Sequence, residues 1–293
     1  MNIRKAPNGF TYLNAGCGDT FSPEWNNVDR RRGPHIVYHD LRKSLPYTDN
    51  TFDAVYSSHV LEHLEPEDGD RFLQELFRTC KPGGVCRIVV PDYEQVCREY
   101  LHCIHTALEK PDETSIRRYH WSILEMIDQL VRNKMGGRML ETLSSGDFDE
   151  EYVRYRGGEE FSQYYTLEAS PVYDDRQRSQ DRRIGSTFRM RNQIPRPWKE
   201  IPTVLFHRLS NWFQGSWKDP RKNGETHRWI YDRFGLKLHM EKNSFEEVET
   251  TSHDASRIPH WSSYLLDSTL NGSHPRKPDS LYMEGTKPVS IRK

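Results

Sequence analysis

The sequence predicts a doubly wound, mostly parallel α/β sheet interrupted by an inserted, mainly helical cap. Three observations carry this. Strand-like runs alternate with helical segments through the first 91 residues, the pattern of a parallel sheet with crossover connections. From Asp92 to about Gly224 the alternation gives way to two long amphipathic segments and a polar stretch. Helix and strand patterning then return. We therefore divide the chain into an α/β core of residues 1–91 and 225–293 and a cap of residues 92–224, the expected substrate-binding region.

The elements follow in order. Phe10 to Ala15 reads as the first strand and runs into Gly16-Cys17-Gly18. Asn27-Val28-Asp29 is the second, Ile36-Val37-Tyr38 the third and Phe52 to Ser57 the fourth. In residues 69–80, Phe72, Leu73, Leu76, Phe77 and Cys80 recur at helical spacing. Lys81-Pro82-Gly83-Gly84 stops that helix, because Pro cannot continue it and Gly suits its cap. Val85 to Val90 is apolar at almost every position, as in a strand covered on both faces. In the cap, residues 93–109 and 115–134 read as helices, the second with an apolar stripe of Ile123, Leu124, Ile127, Leu130 and Val131 and an end at Gly136-Gly137. Residues 144–200, rich in Ser, Gly, Arg, Asp and Tyr, read as an irregular lid. Glu225 to Asn243 reads as a helix, and Phe245 to Thr251 and Ser280 to Glu284 as two strands.

Composition narrows the function classes. Of 293 residues, 34% are hydrophobic, 29% charged and 12% aromatic, polar for a globular chain but too aromatic for a disordered one. Lys and Arg number 42 against 43 Asp and Glu, a formal net charge of −1, which argues against general nucleic-acid binding. No run approaches the roughly 18 apolar residues of a membrane span, and MNIRKAPNGF lacks the apolar core of a signal peptide. The five cysteines are odd in number and form no C-x-x-C pair, which fits reduced thiols and a cytoplasmic location. The oligomeric state is not legible.

The chemistry-bearing residues fall at strand ends. Gly16 and Gly18 let the backbone turn tightly after the first strand and let a ligand approach closely. Asp29 ends the second strand, where a carboxylate can accept ribose hydroxyls. Asp40 follows the third strand, within reach of an exocyclic amine. Ser57, Ser58 and His59 follow the fourth. All would lie at the carboxyl edge of a parallel sheet, where open α/β folds bind ligands.

The runs YLNAGCG, VD, HDLRKSLPYTDNTFDAVYSSHVLEHL and LFRTCKPGGVCRIVVPD resemble class I S-adenosylmethionine-dependent methyltransferases. More narrowly, they resemble members that occur with sugar-transfer enzymes for surface polysaccharides. The resemblance covers about the first 92 residues; YHWSILEMIDQLVRNKMGG, HRWIYDRFGLKLHMEKNSFEEVE and HPRKPDSLYMEG extend it. It implies a Rossmann-like sheet and S-adenosyl-L-methionine as cofactor. Asn14, Gly16, Cys17 and Gly18 would border its methionine part, Asp29 its ribose, and Asp40 and Leu41 its adenine. Ser57, Ser58 and His59 would stand beside the sulfonium and the substrate. It further implies O-methylation of a sugar, a polysaccharide precursor or another small molecule, with a saccharide or small-molecule partner. N- or carboxyl-methylation and a non-catalytic binding module of the same fold are the alternatives.

The chain departs from that family in one place. Only eleven positions separate Gly18 from Asp29, and Pro23 is among them, so a full helix cannot fit. Ser22-Pro23-Glu24 could start a short one. The same spacing argues against a dinucleotide site, whose acid comes about 20 residues on.

Further candidates are weighed by chemistry. His59-Val60-Leu61-Glu62-His63 matches H-x-x-E-H, an inverted zinc-peptidase pattern. It follows a parallel strand rather than opening a long helix, so we expect no metal and read Glu62 and His63 as structural. His59 is a candidate general base for a hydroxyl acceptor, or a residue that only shapes the pocket. His227 and Tyr231, at i and i+4 on the expected helix, either line the substrate cleft or hold the cap down. Glu125 and Asp128 read as off the apolar stripe, with Asp128–Arg132 a solvated pair. Arg176, Arg178, Arg182, Arg183, Arg189 and Arg191 would suit an anionic ligand or a solvated loop. Cys97, His102, Cys103 and His105 suit no usual zinc spacing, and Ser252-His253-Asp254 carries no weight as a triad.

Overall fold

Strand β4 (Phe52–Ser58) occupies the middle of a seven-stranded sheet in the computed structural model, which describes residues 3–158, 220 and 224–289. The other strands are β1 (Tyr12–Ala15), β2 (Asn26–Asp29), β3 (Ile36–Tyr38), β5 (Cys80–Pro91), β6 (Glu246–Thr251) and β7 (Ser280–Thr286), in the order β3-β2-β1-β4-β5-β7-β6. Strands β1 to β5 run parallel, and β7 is antiparallel to both β5 and β6. The order switches direction between β1 and β4, the place where crossovers leave to opposite sides and open a crevice at the carboxyl edge. The predicted sheet is therefore present, with strand ends shifted by one or two residues and β5 extended back to Cys80.

Side chains alternate between the two faces with the strand period of two. Leu13, Phe52, Val55, Cys86, Ile88, Val90, Leu281 and Met283 face one core. Helix α1 (Pro66–Thr79) covers it with Phe72, Leu73 and Leu76, and a later helix, α6 (Arg233–Lys242), with Leu236 and Met240. Pro66 sits in the first turn of α1, where its missing N–H costs nothing.

The other face differs from a helix-covered layer. Tyr12, Ala54, Tyr56, Val85, Val89 and Tyr282 pack against Trp25, Ile258, Trp261 and Leu266. Residues 19–25 form turns and no helix, so the short helix allowed by Ser22-Pro23-Glu24 does not form. Trp25 is completely buried in its place, 4.7 Å from the Tyr12 ring. Within this layer Arg87 is wholly buried, bound to Asp267 at 2.8 Å and Glu284 at 2.9 Å, and its guanidinium lies over the Trp261 ring.

The described part of the cap is helical. Helices α2 (Tyr93–Glu109) and α3 (Glu113–Val131) form a hairpin, with Asp92 and Asp112 capping their first turns through side-chain oxygens. Gly136-Gly137 does not end α3, which stops at Val131; Gly136, at φ 73°, instead precedes α4 (Gly137–Ser145). Residues 150–158 are also helical and form α5, so the expected irregular stretch does not begin at 144. Cys103, Trp121, Phe148, Tyr152 and Val153 make a separate cluster.

Two further expectations are corrected. Asp128 is buried and Glu125 half-buried: Glu125 binds Arg156 at 2.9 Å, and Asp128 binds Arg132 at 2.8 Å. The chain at 225–232 is not helical, and α6 starts at Arg233. Asp232 caps it by accepting from Phe234 and Gly235 N–H, which places the boundary there rather than at Glu225. The six arginines of 176–191 lie outside the described residues.

Candidate functional site

Beyond Ala15 the chain turns sharply through Gly16 at φ 83° and Gly18 at φ 51°. A Cβ on Gly16 would stand 2.1 Å from Val60 Cγ2 and 3.2 Å from Leu41, whereas one on Gly18 would meet nothing within 4 Å. Gly18 is thus the position where the loop presents open backbone, and Gly16 is where it must pass close to the turn after β4. Asp29 holds the loop: its Oδ2 accepts from Gly18 N–H at 2.8 Å and its Oδ1 from Arg31 N–H at 2.7 Å. Each carboxylate oxygen keeps a further lone pair, so two acceptor positions remain. Asp40 is engaged more fully. Arg42 grips it at 2.9 and 2.6 Å and holds its carboxyl well below the usual range.

Polar atoms without partners cluster near the same edge. Asn14 Oδ1, His39 Nε2 and Ser57 Oγ are buried and have no hydrogen-bond partner among the described residues. Such atoms are costly to leave unmade and mark places where a ligand or water is taken. Cys17 is buried beside them, and burial pushes its thiol up to about 12, so it is no nucleophile. Ser58 is half-buried at the end of β4.

The turn after β4 carries the titratable groups. His59 has a left-handed backbone, φ 53°, and donates its N–H to the Val89 carbonyl at 2.9 Å. Such strain in a non-glycine residue persists only where surroundings enforce it. Its Nδ1 lies 3.1 Å from Glu62 Oε1 and its Nε2 3.0 Å from Ser280 Oγ. Burial pushes the Glu62 carboxyl up, but opposing effects led by the His59 hydrogen bond outweigh this and hold it at about 2. An ionised Glu62 only accepts, so Nδ1 of His59 carries the proton toward it and Nε2 is the basic nitrogen.

His227 reaches this cluster on an extended segment. Its N–H donates to Gln129 O at 3.0 Å, while Arg228 and Trp229 N–H donate to the Glu62 carbonyl at 2.6 and 3.2 Å. The His227 ring meets the His63 ring edge-on, with centroids 4.8 Å apart. Burial lowers the His227 pKa to about 3, so its imidazole is neutral. Tyr231 goes elsewhere. It is buried in the core under α1, its hydroxyl 3.3 Å from His239 Nδ1, and His239 is bound to Asp70 at 2.6 Å. The pairing of His227 and Tyr231 on one helical face is therefore corrected.

Glu62 and Ser280 were not expected in the site. For Glu62 the signal was present, since it stands only three residues after His59, in the 3-10 turn (Leu61–His63) that follows it. For Ser280, at the start of β7, no local pattern exists.

Residues 13–88 match the family model described as a methyltransferase domain. Over these residues the chain is thus similar to the methyltransferase class. The match runs from β1 into β5 and contains the glycine loop, Asp29, Asp40 and the turn to His63; the cofactor of the class is S-adenosylmethionine. The demethylmenaquinone methyltransferase of Corynebacterium urealyticum is 42% identical over 64 residues, 20% of this chain and 27% of that protein. The chain thus matches only about a quarter of that relative's length. Among solved structures, an S-adenosylmethionine-dependent methyltransferase of Thermotoga maritima is 13% identical with a TM-score of 0.35, over 95% of this chain and 82% of that one. One from Clostridium acetobutylicum is 16% identical with a TM-score of 0.26, over 30% and 45%. The fold assignment rests on the strand order of this chain. Among the described residues, no helix is long and apolar enough to cross a membrane.

Proposed function

We propose that the protein transfers a methyl group from S-adenosylmethionine to an oxygen of a sugar, a polysaccharide precursor or another small molecule. The observation that carries the reading is the gathering of the glycine loop, Asp29, Asp40 and His59 at the carboxyl ends of β1 to β4, beside the switch point, within a methyltransferase domain. The saccharide part is supported by the resemblance of the first 92 residues to enzymes found with sugar transferases.

The residues suit the cofactor. Asp29 has lone pairs left for ribose hydroxyls, Gly18 offers open backbone, and Asn14 and Ser57 offer unpaired polar atoms. When bound, S-adenosylmethionine supplies a sulfonium methyl that a nucleophile takes in line. Asp40 and Leu41 flank the adenine in this reading, and Cys17 and Ser58 complete the wall. His59 is the base. Glu62 holds its Nδ1–H and keeps Nε2 ready to take a hydroxyl proton, the logic by which a carboxylate orients a histidine in other hydrolytic and transfer sites. Ser280 Oγ, 3.0 Å from Nε2, must yield that nitrogen to the acceptor hydroxyl. The cap helices would exclude water from the crevice.

Calorimetry with S-adenosylhomocysteine tests the first half. We expect binding by the wild type and a loss on the order of 1.5–3 kcal/mol in Asp29→Ala, the range for hydrogen bonds to a charged group. A folded wild type that does not bind would overturn the reading. A labelled-methyl screen of sugar and lipid-linked acceptors tests the second half. The Ser280 bond on His59 Nε2 favours one rival, a carboxylate acceptor, which needs no base. Unchanged kcat in His59→Ala would select it.

A further inference from the structure

We propose that His63, His227 and Glu62 bind a divalent transition-metal ion of the zinc class. One donor atom from each lies within 4.8 Å of the others, although His227 belongs to a segment remote in sequence. Zinc–nitrogen bonds of about 2.0–2.1 Å place tetrahedral ligands about 3.3–3.5 Å apart. Side-chain rotation closes that difference.

Lone pairs already face one another here. His63 Nδ1 lies 3.3 Å from the Thr226 carbonyl, which can only accept, so Nδ1 carries the proton and Nε2 carries the lone pair. That lone pair looks at Glu62 Oε1, another acceptor, across 3.8 Å. The second Glu62 oxygen, Oε2, is buried with no hydrogen-bond partner among the described residues, in a side chain only 2% exposed. Acceptors turned toward each other are stabilised by a cation between them, and the Glu62 side of this pair is buried. Two imidazoles and a carboxylate are the donor set of catalytic zinc sites that keep a fourth position open. Thr226 holding the far nitrogen of His63 and His59 holding Glu62 are the outer contacts that fix such ligands.

The framework is rigid. His227 is fixed through Gln129 O, and the two residues after it through Glu62 O. Half-buried Arg132 ties Asp128 to Glu225 just before His227. An ion held there adjoins His59, and its open position is the place for an acceptor oxygen. That role rests on the methyl-transfer reading, whereas binding of the ion does not.

The test uses the full chain, stripped with a chelator and dialysed, then titrated with Co²⁺. We expect one equivalent to bind with the visible absorption of a tetrahedral or five-coordinate centre, displaced by Zn²⁺ and not by Mg²⁺. Affinity should fall at least about 100-fold in His63→Ala and in His227→Ala, the upper end of the loss seen for removing even an outer contact. A double substitution of the exposed His102 and His105 of α2 should leave it unchanged. If the alanine variants do not fold, Glu62→Gln should bind Co²⁺ at least about tenfold more weakly. A folded wild type that gives no cobalt spectrum, or equal affinity in the folded ligand variants, overturns the proposal. Calorimetry with S-adenosylhomocysteine on the same sample separates the two ideas. Cofactor binding without cobalt binding removes only the metal site, and the converse removes only the methyl-transfer reading.

Discussion

Beneath α1 and α6 the sheet is covered by aliphatic side chains, with Leu13, Val55 and Ile88 meeting Leu73, Leu76 and Leu236. On the opposite side Tyr12 stacks on Trp25, Tyr56 meets Trp25 and Trp261 edge to face, and the Arg87 guanidinium lies over the Trp261 ring. The difference follows from chain length. Ten residues between Gly18 and Asp29 cannot make a crossover helix, so one large indole fills the volume a helix would have filled. The rest of that layer comes from residues 253–268, which return no long helix either. A layer built from loops must satisfy its own polar groups. Arg87 does this by binding Asp267 and Glu284 and donating to the Ser252 and Ala255 carbonyls. One side thus depends on area removed from water and the other on a closed network of hydrogen bonds and rings.

Substitutions on the two faces separate these sources of stability. Arg87→Ala should have the largest effect, about 3–5 kcal/mol by urea unfolding, because, among the described residues, buried Asp267 loses its only paired cation and keeps just the Tyr56 hydroxyl, while Glu284 is left to Arg257 and Ser256. A loss under 1 kcal/mol would mean that water reaches this layer and that the faces differ less than their packing indicates. Leu73→Ala, on the aliphatic side, should cost about 2–5 kcal/mol from lost transfer energy and a cavity. Unlike Arg87→Ala, whose cost should shrink toward acid pH as the unpaired Asp267 takes up a proton, its cost should not depend on pH, which repeating both titrations at two pH values would check.

The carboxyl edge that both faces frame gives a smaller effect. Gly16→Ala and Gly18→Ala share a left-handed backbone worth about 1–2 kcal/mol against any side chain. Only Gly16 also forces Val60 aside, so its melting temperature should fall further, while Gly18→Ala should remain the more stable of the two. Equal melting temperatures would place Val60 away from the loop. At the amino edge the effect is smallest. Asp53 accepts from Thr11 N–H and Oγ and from Lys81. Burial raises its carboxyl, but these partners more than reverse that and leave it below the ordinary value. Its contribution is therefore full above about pH 4 and is lost as pH falls through the depressed folded value. The stability gap between wild type and Asp53→Asn, followed by chemical denaturation, should shrink on acidification; a gap that widens would contradict the sign.

The amino-acid sequence alone determined the alternation of strands and helices from Tyr12 to Val131, because each of these elements is a local period with its own start and stop signals. Asp92, Pro66 and the two loop glycines act through neighbours two to four residues away, so they can be read in line. The glycine loop, Asp29, Asp40 and His59 were legible for the same reason, each being tied to a strand end. Tertiary structure decided what lies opposite them. Glu225 to Asp232 shows helix-like apolar spacing, yet its N–H groups at Arg228 and Trp229 bond to the Glu62 carbonyl instead of closing a helical turn. A distant acceptor outcompeted the local one. Ser280 met His59, and His227 met His63, only once β7 had paired with β5 and the return segment had crossed α3. Contacts between segments so far apart have no period in the chain, and long-range pairing alone brings their atoms to bonding distance.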